Sequence, residues 1–213
     1  MFHLAALVLA GGQSQRMGRD KALLSMPLAY QSTLLQQVCH VAQGCSPDLY
    51  VLTPWPENYQ PLLPPIVTLL HEPTVGHGPL VALEQGWAQI LATRQQQRLP
   101  PPDWLLTLAC DMPGLELTTL QRWRQTLINV DAGAIAALPK QSERWEPLCG
   151  FYHRRCLPSL KVAINNNVRS FQRWLHQENV VQLLGADSHM LRNCNTPAEW
   201  QQFLTTVNAR NPD

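Results

Sequence analysis

The chain has 213 residues, of which 45% are hydrophobic and 15% are charged, and its formal net charge is +1 at pH 7. This length predicts a single domain over residues 1–207 with a sizeable core, followed by a short frayed tail over 208–213. The near-zero charge excludes a global field that would attract nucleic acid or an anionic membrane, and no apolar run approaches the roughly 20 residues that a bilayer crossing needs.

Apolar runs alternate along the chain with amphipathic segments, a pattern that predicts strands and helices in turn. Strands are predicted at Leu4–Leu9, Leu49–Leu52, Ile66–Leu70, Trp104–Cys110, Gly133–Leu138 and Leu148–His153. Helices are predicted at Ser32–Ala42, Pro79–Ala92, Leu117–Leu127, Leu157–Ile164, Ser170–Glu178 and Pro197–Val207. The alternation predicts a three-layer, Rossmann-like α/β fold with a mostly parallel central sheet flanked by helices. Ligands of such folds bind at the carboxyl ends of the strands.

The N-terminal residues lack the basic and long apolar segments of a signal peptide. The six cysteines form no C-x-x-C pair and no spacing typical of zinc sites. We therefore expect a cytoplasmic protein with reduced thiols.

A glycine-rich, cationic loop follows the first predicted strand, and it extends from residue 9 to residue 21. Glycines allow backbone N–H groups to approach an anion, and Arg16 and Lys21 can add charge-assisted contacts to phosphate. The adjacent pair Gly11 and Gly12 excludes G-x-G-x-x-G, and the absence of Lys-Ser or Lys-Thr after the last glycine excludes the Walker P-loop. A glycine pair alone is also compatible with a simple tight turn, but the added cations favour a triphosphate cradle.

Asp111 is the clearest acidic candidate because it stands where the largely apolar strand Trp104–Cys110 ends. A carboxylate that faces a triphosphate from a strand tip provides the oxygen ligand that Mg²⁺ prefers. The alternative is a turn or helix-capping aspartate, which is common at such junctions. The glycine-rich loop nearby favours metal binding.

The loop pattern L-A-G-G-x-S-x-R-M-G-x-D-K resembles the signature of nucleotidyltransferases that activate sugar phosphates and cofactors. Later segments agree in order with the molybdenum cofactor guanylyltransferases of that superfamily: Gly78-Pro-Leu80, Cys110-Asp-Met-Pro113, Glu146-Pro-Leu148 and Asn195-Thr-Pro197. The resemblance implies a Mg²⁺-dependent enzyme that transfers GMP from GTP to Mo-molybdopterin and releases pyrophosphate. It also makes molybdenum-insertion and molybdoenzyme-maturation proteins natural partners.

The resemblance implies roles for individual residues of the loop and the strand ends. Arg16, Lys21 and Asp111 would act in catalysis and contact the phosphates. The nucleotide-binding positions would be Leu9, Ala10, Gly11, Gly12, Arg16, Lys21, His71, Glu72, Gly78 and Asp111.

Two positions leave alternatives open. The family usually has a guanine-binding aspartate where this chain has His71, and Glu72 stands beside it. A carboxylate can accept from N1–H and from the 2-amino group of guanine, so Glu72 is chemically suited to this role. Asn195 would either reach the metal or the acceptor phosphate, or cap the last helix, for which Thr196 is another candidate.

Rival functions keep the same loop. A cytidylyltransferase or a sugar-phosphate nucleotidyltransferase would retain Lys21 and Asp111 and use the His71–Glu72 segment for another base. A regulatory protein that binds nucleotide without turnover is a rival of another class, and the pairing of Lys21 with Asp111 argues against it. A nicotinamide-dependent dehydrogenase conflicts with the glycine spacing.

Overall fold

A mixed β-sheet forms the centre of the protein in a computed structural model that describes residues 2–12, 14, 17–27 and 32–210. The strands are β1 (Leu4–Leu9), β2 (Leu49–Thr53), β3 (Thr68–His71), β4 (Trp104–Ala109), β5 (Ala136–Gln141), β6 (Arg144–Trp145), β7 (Cys149–His153) and β8 (Val180–Leu183). In these residues the strand order is β3-β2-β1-β4-β7-β5-β6, with β8 paired to β5. Strands β1 to β4 are parallel, β7 is antiparallel to β4 and β5, and β8 is parallel to β5.

Helices cover both faces of the sheet. They are α1 (Leu34–Gln43), α2 (Pro56–Tyr59), α3 (Pro79–Gln96), α4 (Leu117–Thr126), α5 (Leu157–Asn165), α6 (Phe171–Leu175) and α7 (Pro197–Arg210). Successive side chains of a strand point to opposite faces, and β1 is buried on both. Val8 packs in the core with α1, α4 and α7, whereas Leu7 packs in a second core with α3, α5 and α6. The predicted three-layer α/β fold is confirmed.

Several predicted boundaries differ from the structure for local reasons. The third strand begins at Thr68 because the preceding residues form a turn in which Ile66 is exposed. The fifth strand begins at Ala136 and not at Gly133, since Asp131 accepts from Gly133 N–H and holds a turn there. Helix α3 continues past its predicted end because Arg94 is buried and ion-pairs with the Asp48 carboxylate.

Other boundaries differ near the C-terminus. Helix α6 is shorter than predicted and α7 continues past Val207 to Arg210. The two short strands β6 and β8 were not predicted from the sequence. Among the described residues, no helix has the length and apolar content that a membrane span requires.

The parallel half of the sheet brings three chain segments to one edge. Strands β1, β3 and β4 end at Leu9, His71 and Ala109, and all three point the same way. The residues that follow these strands therefore meet at the carboxyl edge of the sheet.

Candidate active site

A cleft of about 300 Å³ opens at the carboxyl edge of the sheet, between the loops that follow β1, β3 and β4. Leu9, Gly11 and Gly12 form one wall, and Gly78 lies at the start of α3 on another. Gly78 has a φ of 87°, a backbone conformation that favours glycine, and Pro79 then begins the helix. Among the described residues, the cleft is lined by Leu9, Gly11, Gly12, Lys21, Glu72, Gly76, Gly78, Pro79, Ala82, Ala109, Cys110, Asp111, Leu148 and Asn193.

Lys21 and Asp111 form an ion pair at one end of this cleft. The Lys21 Nζ donates to Asp111 Oδ2 at 2.8 Å and to Asn195 Oδ1 at 2.9 Å. The side chains of Lys21 and Asp111 are 12% and 15% exposed, so water screens their charges only partly. Three residues that are far apart in sequence thus converge on one ammonium group.

Local turns fix the backbone at Lys21. The carbonyl of Ser14 accepts from the N–H groups of Met17 and Gly18, and its side-chain Oγ accepts from Lys21 N–H at 3.1 Å. The Asp20 carboxylate accepts from Ala22 N–H at 2.9 Å and caps a 3₁₀ turn over Lys21–Leu23. These bonds fix the backbone from which the lysine side chain reaches Asp111 at the end of β4.

Glu72 also lines the cleft, and its carboxylate lies directly against the backbone of Gly11. A Cβ atom placed on Gly11 would be only 1.9 Å from Glu72 Oε2, so only glycine allows this approach. The residue is 7% exposed, and its carboxylate makes no hydrogen bond with the described part of the chain. Burial raises the pKa of Glu72, and the charge of His71 opposes that increase.

The loop before α7 brings the asparagines to the site. Asp111 carbonyl accepts from Cys194 N–H at 2.8 Å, which holds this loop against the end of β4. Thr196 Oγ1 accepts from Glu199 N–H, and Glu199 Oε2 accepts from the N–H groups of Asn195 and Thr196. Thr196 therefore caps α7 in a capping box, as predicted, and the Asn195 side chain is directed to Lys21 instead.

Two buried oxygen atoms near this cluster have no hydrogen-bond partner among the described residues: Asp111 Oδ1 and Asn193 Oδ1. Buried acceptors of this kind are costly unless a ligand, an ion or water satisfies them. Carboxylate and amide oxygens are suitable ligands for Mg²⁺, which commonly uses one or two protein carboxylates together with substrate phosphates. The donor set at Asp111 thus fits a magnesium ion, although no group of three or more His, Cys, Asp or Glu residues forms a metal cluster in residues 2–12, 14, 17–27 and 32–210.

The structure separates the predicted base-binding pair. Glu72 lines the cleft, whereas His71 is exposed and its carbonyl accepts from Gln89 Nε2 at 2.8 Å. Ala10 is buried beneath the loop and does not line the cleft. Arg16 lies outside the described residues.

Asn193 was missed from the sequence. A signal existed, because Asn193 and Asn195 are two residues apart, and residues at that spacing share a side of an extended segment. The sequence alone did not show that both would meet the β4 end.

Comparison with known proteins agrees with this geometry. Residues 6–181 match the family model of the MobA-like NTP transferase domain. A relative from Nostoc sp., described as a probable molybdenum cofactor guanylyltransferase, is 45% identical over 199 residues, covering 93% of this chain and 89% of the relative. A relative from Synechococcus elongatus with the same description is 39% identical over 201 residues, covering 93% and 97%.

A solved structure gives the same fold at lower identity. Molybdopterin-guanine dinucleotide biosynthesis protein A from Archaeoglobus fulgidus superposes with a TM-score of 0.74 and 19% identity, covering 96% of this chain and 99% of that one. The chain therefore belongs to the MobA-like NTP transferase family and is a nucleotidyltransferase.

Proposed function

We propose that the protein transfers GMP from GTP to the terminal phosphate of Mo-molybdopterin, forming the guanine dinucleotide and pyrophosphate. The observation that carries this proposal is the Lys21 ammonium held by Asp111 and Asn195 at the end of a glycine-rich loop. The descriptions of the Nostoc and Synechococcus relatives support guanylyl transfer among the reactions that such a site could perform.

Glu72 is proposed to bind the guanine base. Its buried carboxylate has two oxygen atoms that bond no described residue, and guanine presents two adjacent donors, N1–H and the 2-amino group. Hydrogen bonds to an ionised acceptor contribute about 1.5–3 kcal/mol each. Cytosine and uracil cannot present the same pair of donors, so this carboxylate favours GTP.

Lys21 is proposed to bind the β- and γ-phosphates of GTP, together with Arg16 from the same loop. Positive charge at this position stabilises the negative charge that builds up on the leaving pyrophosphate. Asp111 Oδ1 and Asn193 Oδ1, the buried acceptors without a described partner, would hold a Mg²⁺ ion beside the phosphates, and that ion would neutralise part of their charge. Asn195 Oδ1 would join them once Lys21 turns to the nucleotide.

The acceptor phosphate is proposed to attack the α-phosphorus directly. A new P–O bond forms to the acceptor oxygen while the bond between the α-phosphorus and its bridging oxygen breaks, and the electron pair leaves with pyrophosphate. A phosphate monoester is already anionic at neutral pH, so positioning and charge neutralisation suffice without a strong general base. Burial raises the pKa of Cys110 far above neutrality, so the thiol that lines the cleft remains protonated and is a poor nucleophile.

We propose GTP and Mo-molybdopterin as the substrates and the cytoplasm as the place of the reaction. Molybdenum-insertion and molybdoenzyme-maturation proteins are the proposed partners that deliver the acceptor and receive the product.

Pyrophosphate release tests the proposal. The wild type would be assayed with GTP, CTP, ATP and UTP in the presence of Mg²⁺ and Mo-molybdopterin, beside Asp111→Ala and the surface control Glu143→Ala. We expect release with GTP alone, its loss in Asp111→Ala, and wild-type rates in the control. Turnover with CTP would make the enzyme a cytidylyltransferase, and no turnover with any nucleotide would overturn the proposed acceptor.

A further inference from the structure

A partly buried hydrogen-bonded network connects helix α2 with the turn that carries Lys21. Tyr59, the last residue of α2, is 1% exposed, and its hydroxyl donates to Asp20 Oδ2 at 2.7 Å. The other oxygen of the Asp20 carboxylate accepts from Ala22 N–H at 2.9 Å. Both oxygens of Asp20 are therefore engaged, one by the turn and one by a helix that follows a different strand.

The Tyr59 hydroxyl is held in a fixed direction. The ring is almost fully buried, so packing leaves the hydroxyl little room to turn away from Asp20. Burial and the charge of Asp20 raise the pKa of Tyr59 well beyond neutrality, so the phenol keeps its proton and remains a donor to the carboxylate.

Asp20 immediately precedes Lys21 in the chain, so the position of its backbone determines where the lysine begins. Its cap fixes the N-terminus of the 3₁₀ turn, while the Lys21 N–H is fixed separately by Ser14 Oγ at 3.1 Å. A lysine side chain has about four rotatable bonds and loses close to 2 kcal/mol of rotamer entropy when it is ordered. A firmly placed backbone reduces the number of orientations from which the ammonium can reach a phosphate.

Tyr59 itself does not line the cleft, so it cannot contact a nucleotide bound there. We propose that Tyr59 is a positioning residue, which holds Asp20 and through it places the Lys21 ammonium for the β- and γ-phosphates of the nucleotide. This inference rests on the proposed function, because it assumes that Lys21 binds those phosphates.

The comparison of GTP with GMP separates positioning from general stability. GMP lacks the β- and γ-phosphates, so its affinity should not depend on Lys21. We expect Tyr59→Phe to weaken GTP binding about tenfold, the size of one lost charge-assisted hydrogen bond, and to leave GMP binding within about twofold of wild type. Calorimetric titration in the presence of Mg²⁺ measures both affinities without turnover.

Two further variants complete the experiment. Tyr50 is another buried tyrosine, on β2, and its hydroxyl makes no hydrogen bond with a described residue. Tyr50→Phe is therefore the control and should change neither the GTP nor the GMP affinity. If Tyr59 acts through Asp20, the double variant Asp20→Ala/Tyr59→Phe should bind GTP within about twofold of Asp20→Ala alone.

The outcomes distinguish the inference from the proposed function. Wild-type GTP affinity in Tyr59→Phe, equal losses for GTP and GMP, or additive effects in the double variant would each overturn the role of Tyr59. A wild-type protein that binds neither GTP nor GMP would overturn the proposed function, and the role of Tyr59 with it.

Discussion

Replacing Glu72 by glutamine removes the carboxylate charge beside Gly11 and leaves the volume of the cleft nearly unchanged. The carboxylate is buried against Gly11, where a Cβ would come within 1.9 Å of Oε2, and glutamine has nearly the same shape and can make the same approach. Glutamine keeps one acceptor and turns an NH₂ group towards the second guanine donor. One charged hydrogen bond is lost, at about 1.5–3 kcal/mol. We therefore expect kcat/KM for GTP to fall by roughly 10- to 150-fold.

Inosine triphosphate makes the test specific to the base, because it differs from GTP only by the absence of the 2-amino group. The wild type should prefer GTP over ITP by a similar factor, and Glu72→Gln should reduce that preference to about one, since its NH₂ group no longer accepts from the 2-amino group. Pyrophosphate release with the two nucleotides measures this ratio. Glu143→Gln, at an exposed turn between β5 and β6, is the matched control and should keep the wild-type ratio.

The pH dependence follows from the raised pKa of Glu72. Guanine binding needs the ionised Glu72 carboxylate, so the affinity for GTP should fall as the pH is lowered through that pKa. Because the pKa is raised, this decrease should begin at a higher pH than an ordinary glutamate would give. Glu72→Gln should show no such decrease. A variant that retains the full GTP preference over ITP would refute the assignment of Glu72 to the base.

Three further predictions concern the packing and charge of other sites. Gly11→Ala should displace the Glu72 carboxylate and abolish the GTP-over-ITP preference, whereas Gly12→Ala, whose Cβ would meet nothing within 4 Å, should retain it in the same assay. Gly86→Ala should lower the free energy of unfolding by about 1–2 kcal/mol in denaturant titration, because its Cβ would lie 2.4 Å from a leucine of β1 and this overpacking outweighs the gain in helix propensity. Burial and neighbouring arginines lower the pKa of His153 to about 4, so between about pH 6.5 and pH 4 the unfolded state binds more protons than the folded state. The free energy of unfolding should therefore fall by about 1–2 kcal/mol as the pH drops through this range. His153→Gln should lack this decrease.

The strands that lie in the middle of the sheet were predictable because their sequences are distinctive. β1 is a continuous apolar run and β4 is one interrupted only by the buried Thr107, as expected for strands buried on both faces. β6 has only two residues, and β8 alternates weakly in burial at the sheet margin, so neither carries a strong local pattern. Their positions depend on pairing with β5, which is a tertiary contact.

The site was partly predictable, because two of its residues stand in distinctive local sequence patterns. The composition of the first loop identified Lys21, and the end of an apolar strand identified Asp111. The choice between His71 and Glu72 depends on which side chain turns into the cleft after β3, and the sequence does not contain that orientation. Tyr59 has no local signal, because its partner Asp20 is 39 residues away and meets it only in the fold.

Before the nucleotide binds, Lys21 and a divalent cation would compete for the same carboxylate. The ammonium lies 2.8 Å from Asp111 Oδ2, where two charges attract by about 6 kcal/mol at an effective dielectric constant of about 20, although desolvation offsets much of this. Lys21→Met keeps the apolar stem and removes the positive charge. The Asp111 carboxylate then loses its ion-pair partner and should bind a metal ion more tightly. We expect Mn²⁺, used as a probe for the proposed Mg²⁺ site, to bind the nucleotide-free variant at least about tenfold more tightly than the wild type, which corresponds to about 1.4 kcal/mol.

Titration followed by electron paramagnetic resonance measures free Mn²⁺ directly, and the Lys21→Met/Asp111→Asn double variant is the control that should lose the gain. Pyrophosphate release should be lost in Lys21→Met despite the tighter metal site, because the leaving group then lacks its cation. These opposite changes distinguish a lysine that serves the phosphates from one that merely stabilises Asp111. Unchanged Mn²⁺ affinity in a folded Lys21→Met protein would contradict the assignment of the metal to Asp111.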